Sequence, residues 1–124
     1  MRIPDFMVRQ FYVGGSLRND DAGFRLQARN PLADGRLVGV RRFAVDGSPI
    51  ELSSVSAIRE GDAAWLSASD VSPTSPVTFR KGDVVTFHVT GPALQPGPHK
   101  LDLDLIERDA GLLSLSLSDT LAVD

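Results

Sequence analysis

The side chains able to do chemistry are few and scattered. His88 and His99 are the two histidines of the chain, and imidazole is the usual general base or metal ligand near neutral pH. His88 sits within VVTFHVT, residues 84–90, on the polar side of an alternating run. A base needs a positioned partner, and no neighbour in that run supplies one. The reading is a solvent-facing strand residue. His99 follows Pro96-Gly97-Pro98 at the start of another alternating run. Loop ends carry function more often than strand middles, but the simpler expectation is a residue bonding locally where the strand begins.

Asp102 and Asp104 alternate with leucines and point to one face, with Glu107 beyond them. A hard cation such as Ca²⁺ takes roughly six to eight oxygens, usually from a folded-back loop. A regular strand cannot wrap a metal, so these are expected to be charges on a wet face. Arg25, Arg29, Arg41 and Arg42 are the other charged candidates. They could form a basic patch for an anion or a partner's carboxylates, or stand as solvated charges that protect strand edges. Trp65, the lone tryptophan, lies among small residues. It either plugs one end of the core or anchors a partner surface.

Other chemistries lack their parts. Gly14-Gly15-Ser16 has neither the lysine nor the following helix of a phosphate loop. No serine sits in a nucleophile elbow. The chain has no cysteine, hence no disulfide framework and no thiolate nucleophile or metal site. No acid–base–nucleophile set emerges, and the chain alone is not expected to be a complete enzyme. The isolated chain is expected to bind no metal tightly.

Composition bounds the rest. The 124 residues fit one domain, taken as 1–124. Thirteen basic and sixteen acidic residues leave a net charge of −3, too balanced for a nucleic-acid footprint. The opening MRIPDFMVRQFYVGG carries Asp5 and Arg9 where a secretory signal needs an apolar run. No run approaches the roughly 20 apolar residues of a membrane span. A cytoplasmic location is expected, with no nucleic-acid or membrane partner.

The elements that must position these side chains read as strands. GFRLQAR, residues 23–29, alternates Phe24, Leu26 and Ala28 with polar residues, the period of a half-buried strand. Asn30-Pro31 stops it, because proline has no N–H for a ladder. Asp34-Gly35 turns the chain into a run over 37–45 that ends at Asp46-Gly47, a hairpin signal. Residues 48–52 are expected to pair back. Residues 6–13, FMVRQFYV, read as a first strand. Residues 59–76 read as a long connection with a helical turn around 63–66. Further strands are expected at 77–79 and 84–90. The clearest hairpin sets Leu101, Leu103 and Leu105 against Leu113, Leu115 and Leu117. No window shows a convincing helical period. The expected fold is an all-β, antiparallel β-sandwich of eight to ten short strands.

Three segments carry a resemblance. They are Gly15-Ser16-Leu17-Arg18-Asn19 with Gly23-Phe24-Arg25-Leu26, Arg29 and Pro31; then Gly35 and Leu37 leading to Val45-Asp46-Gly47; then Leu94-Gln95-Pro96-Gly97-Pro98-His99. In that order the chain resembles the small β subunit of bacterial C-glycoside deglycosidases. The resemblance implies an accessory β-sandwich subunit in a higher hetero-oligomer. Its partner would be a larger α subunit, a sugar isomerase/epimerase-like barrel holding Mn²⁺ or another divalent metal, with no cofactor on this chain. The complex would cleave the C–C bond between a 3-oxo sugar and an aromatic aglycone. On this reading Arg25, Arg29, Pro31, Arg41, Arg42, Trp65 and His99 are candidates for the partner interface, and none is catalytic. The alternatives are a stand-alone carbohydrate- or protein-binding sandwich and, last, a small enzyme using His88 or His99.

Overall fold

Alternating runs become the strands of two facing sheets. A computed structural model describes residues 1–121. The strands are β1 (Arg18–Asp20), β2 (Gly23–Arg29), β3 (Gly35–Val45), β4 (Ser48–Pro49), β5 (Val55–Arg59), β6 (Leu66–Ser67), β7 (Val77–Phe79), β8 (Val84–Thr90), β9 (Gly97–Glu107) and β10 (Gly111–Leu121). One sheet has the order β1-β2-β8-β5-β6. The other runs β10-β9-β3-β4, with β7 also on β3. All pairings between these strands are antiparallel. The all-β sandwich is therefore what forms, and it is not a closed barrel. No helix among the described residues is long and apolar enough to cross a membrane.

The period-2 pattern fixes the register, since a one-residue slip would turn every leucine outward. In the C-terminal hairpin Leu103 pairs with Leu115, Leu101 with Leu117 and Leu105 with Leu113. On the other side of β9, Phe43 pairs with Leu103 and Val45 with Leu101. The facing sheet contributes Phe24 beside Val89 and Leu26 beside Phe87. Phe43, Leu101, Val55 and Val85 are the largest fully buried side chains. Strand β3 is irregular. Its pairing with β9 shifts between Leu37 and Gly39 and again between Val40 and Arg42, so Val38 and Arg41 are the extra residues of two bulges. Each bends the strand and deepens its twist.

Two turns depend on backbone that few residues accept. Asp46 and Gly47 have φ of 51° and 83°, the signs of a type I′ hairpin turn. Gly23 opens β2 at φ +152°, and a Cβ there would stand 1.9 Å from the Val89 carbonyl oxygen. Only glycine fits where β2 meets β8 so closely.

Several expectations are corrected. The strand at 6–13 is instead mainly a helix, α1 (Asp5–Phe11). Pro4 sits at its N-cap in an extended conformation, Asp5 is in its first turn and Arg9 in its last, charges matched to the helix dipole. Val8 is buried, Met7 and Phe11 are half-buried, and the helix packs mainly on β10 and β2. Alternation had no part in this segment. An apolar run with Met7, Val8 and Phe11 on one helical stripe reads either way until a groove selects the helix. β4 is two residues long instead of spanning 48–52: Pro49 has no N–H to give, Ile50 N–H makes one further bond to the Phe43 carbonyl, and a 3₁₀ turn follows at Leu52–Ser54. The helical turn expected at 63–66 lies at Ala68–Asp70 instead, where Ser67 Oγ accepts the Ser69 N–H. Strand β9 begins at Gly97, within the expected loop.

Three edge strands are short, and part of a longer edge is covered. β1, β4 and β6 have three, two and two residues. The outer side of the eleven-residue β10 is met by residues 1–3, where Ile3 N–H donates to the Ser114 carbonyl and Ser114 N–H to that of Met1.

The chain crosses between the sheets five times, and Asn30 clasps two of these crossings, β2 to β3 and β7 to β8. Among the described residues it is the one buried polar side chain, 2% exposed. Its Nδ2 donates to the carbonyls of Ala33 at 2.6 Å and Phe79 at 2.8 Å. Its Oδ1 accepts the Leu32 N–H at 3.1 Å. Its main chain donates to the Asp83 carbonyl and accepts the Gly82 N–H. Replacing it by alanine strands buried carbonyls, each worth about 1–3 kcal/mol when left unpaired. Asn30→Ala is expected to lower the unfolding free energy by at least that amount in urea melts. Asn30→Asp should fare little better, since a carboxylate has no N–H to give.

Candidate functional site

Three polar constellations and one apolar interior are candidates, and the sheets decide what each can do. The first lies on the outer face of the β1-β2-β8-β5-β6 sheet. Arg18 pairs with Arg25, Arg25 with His88 and His88 with Ser56, and paired residues project from the same face. His88 Nε2 donates to Asp20, at 3.1 Å from Oδ1 and 2.9 Å from Oδ2. That bond, then the Ala22 N–H, lowers the Asp20 carboxyl below its ordinary range. Trp65 stands edge-on to the His88 ring, centroids 6.3 Å apart. Trp65 is 51% exposed, so it does not plug the core. His88 does have a partner, and the expectation of an unpartnered strand histidine is corrected. That partner arrives from β1, 68 residues away in sequence.

His99 anchors the second. Its side chain is 10% exposed. Nδ1 lies 2.7 Å from Asp46 Oδ2 and Nε2 lies 2.6 Å from the Gln95 carbonyl oxygen. Both neighbours accept, so the ring serves them best with a proton on each nitrogen. The Gln95 carbonyl, then Asp46, raises its pKa above 6.5. Asp46 also accepts the Lys100 N–H at 2.9 Å, and this bond, then His99, lowers its own pKa. An imidazolium held on both sides has no lone pair to act as a base. It ties the Asp46-Gly47 turn to the start of β9.

Tyr12 and Asp119 form the third. The phenol donates to Asp119 Oδ2 at 2.5 Å, and the same oxygen accepts the Gly15 N–H at 3.0 Å. Burial, then the Asp119 hydrogen bond, pushes the phenol pKa up to about 12. The pair fastens the chain after α1 to β10.

The remaining candidates do not converge. Arg25 and Arg29 lie on β2, whereas Arg41 and Arg42 lie on β3 of the other sheet, so the four arginines make no single patch. Of the seven interface candidates only Arg25 and Trp65 share a neighbour, His88. Pro31 lies half-buried beside the Asn30 clasp. Asp102 accepts from Ser116, which accepts from Arg2. Among the described residues no group of three or more His, Asp or Glu side chains is placed to hold a metal ion.

Sequence reasoning missed two features. Between the sheets is an apolar cavity of about 390 Å³. Beside it, a polar cleft of about 230 Å³ is lined by Arg36, Arg80 and Arg108. Arginines brought from β3, the β7–β8 turn and the end of β9 leave no local signal.

A family model for the hydroxymethylglutaryl-CoA reductase N-terminal domain matches residues 7–122. The chain belongs to that family. No curated protein matches it. The match corrects the resemblance to C-glycoside deglycosidase small subunits, and with it the C–C lyase function and the stand-alone binding alternative. The residues behind that resemblance have local structural duties. Gly15 N–H meets Asp119, Ser16 Oγ accepts the Gln27 N–H, and Leu17 is buried. Gly35 begins β3, Gly47 forms a turn, and His99 is a turn anchor. Such turn residues recur wherever similar sandwiches are built. The barrel partner and its metal were implied by the resemblance alone and lose that ground.

Two titrations check the geometry. His99 has a raised pKa, so its contribution to the reductase-family domain is complete below pH 6.5 and is lost as pH rises through the shifted value. Melting temperature is expected to fall across that alkaline limb, and His99→Gln should lose the limb while lowering stability at acidic and neutral pH. Tyr12 is the only tyrosine, so ultraviolet absorbance reads it directly. Phenolate is expected to appear only near pH 12, and a titration with the ordinary midpoint near 10 would contradict the Asp119 bond.

Proposed function

We propose that the chain is a non-catalytic domain of a hydroxymethylglutaryl-CoA reductase, holding structure for a reducing centre that lies on other residues. Reduction of a thioester carbonyl needs a bound hydride donor and an acid near the oxygen that gains charge. The observation that carries the reading is the engagement of this chain's acid–base groups in its own folding. His99 is held by Asp46 and Gln95, and Tyr12 by Asp119. His88 faces Asp20. The Glu107 carboxylate accepts the N–H groups of Ala110, Asp109 and Arg36, which lowers its pKa. A catalytic acid must release its proton and regain it, and groups fastening turns do so only by loosening them.

The domain is placed in the cytosol on this reading, which accords with a chain free of cysteine. The test is an assay of the purified chain with hydroxymethylglutaryl-CoA and either reduced nicotinamide. No turnover is expected. Oxidation of the nicotinamide that depends on substrate and disappears in His88→Ala would place chemistry on this chain and overturn the proposal.

A further inference from the structure

The apolar cavity and the arginine cleft adjoin. Asp34, Gly35, Arg36 and Glu107 line both. The charged cleft therefore stands at one end of the sandwich interior. The inner part is lined by side chains such as Val40, Leu105, Leu115, Val85 and Phe87. Ligand pockets typically span roughly 300–1,000 Å³, and a dry cavity of about 150 Å³ already accepts benzene. At about 390 Å³ this one is large for a packing defect.

The formal charges of the mouth balance, but they are not equally engaged. Glu107 gives its oxygens to three backbone N–H groups. Asp34 accepts the Lys81 N–H at 3.0 Å, and Asp109 lies 3.4 Å from Arg108. Among the described residues Arg36 and Arg80 have no carboxylate in ion-pair range. Arg36 and Arg80 thus line the cleft without a carboxylate partner, while Asp34 and Glu107 bond to the main chain and Asp109 to Arg108. A planar guanidinium binds a carboxylate through paired N–H donors.

We propose that this end of the sandwich binds a medium-chain fatty carboxylate, its tail between the sheets and its head on Arg36 and Arg80. The site shares Glu107 and Tyr12 with the groups that fasten the fold, but it does not depend on the domain's role in the reductase. Dodecanoate is expected to bind saturably, one per chain, below its micellar concentration. Shortening the tail should weaken binding about three- to fourfold per methylene, the factor for burying one such group. Dodecanol, with the tail alone, should bind about tenfold more weakly. The Arg36→Gln/Arg80→Gln double variant should lose a similar factor for dodecanoate and none for dodecanol, with an unchanged melt because both side chains are exposed. Ala57→Phe, which fills the cavity wall, should abolish both. Calorimetry reads all of these. Absence of saturable dodecanoate binding, or equal affinity in the arginine double variant, overturns the site.

Discussion

One buried amide holds the two sheets in register with each other. Chain connections between the layers of a sandwich must turn through its rim, where backbone groups leave one ladder before joining the next. Here two such connections run side by side, and their unpaired carbonyls and N–H groups converge on Asn30. An amide suits the position because it offers donors and an acceptor together without a charge to desolvate. Leucine packing then accounts for the bulk of the burial, and the clasp decides where one layer sits over the other.

The same economy recurs at the other joints. His99 with Asp46, Tyr12 with Asp119, and Glu107 with its ring of N–H groups each fasten a turn or chain end to a strand. Side chains that elsewhere perform catalysis are used here as fittings. Composition alone cannot separate the two uses, because the residue types are the same and only the partners differ.

What was legible in the sequence follows from the range of the interaction. Period-2 alternation is local and strong in LDLDL against LSLSL, so the β9–β10 register and the sandwich class could be read directly. Asp46-Gly47 announced its hairpin for the same reason. Helix α1 was not legible, because its short apolar run satisfies either period and its groove is built by β2 and β10. The partners of His88 and His99 lie 68 and 53 residues away, beyond any local pattern. The apolar cavity leaves no trace either, since a residue lining a void and one packed tightly look alike in one dimension. Resemblance drawn from turn motifs failed because turns report backbone geometry, which unrelated sandwiches share.

The covering of β10 by residues 1–3 has a bearing on behaviour in crowded solution. An eleven-residue strand with leucine at alternate positions is a good template for cross-β recruitment. Its inner side is taken by β9, and its outer side is met at 112–114 by the backbone of residues 1–3. The edge strands β1, β4 and β6 end after two or three residues, too few for a visiting strand to grip. Loss of that short segment, by proteolysis or by fusion of a bulky tag, would leave the core nearly intact and lengthen the uncovered part of this leucine-bearing border.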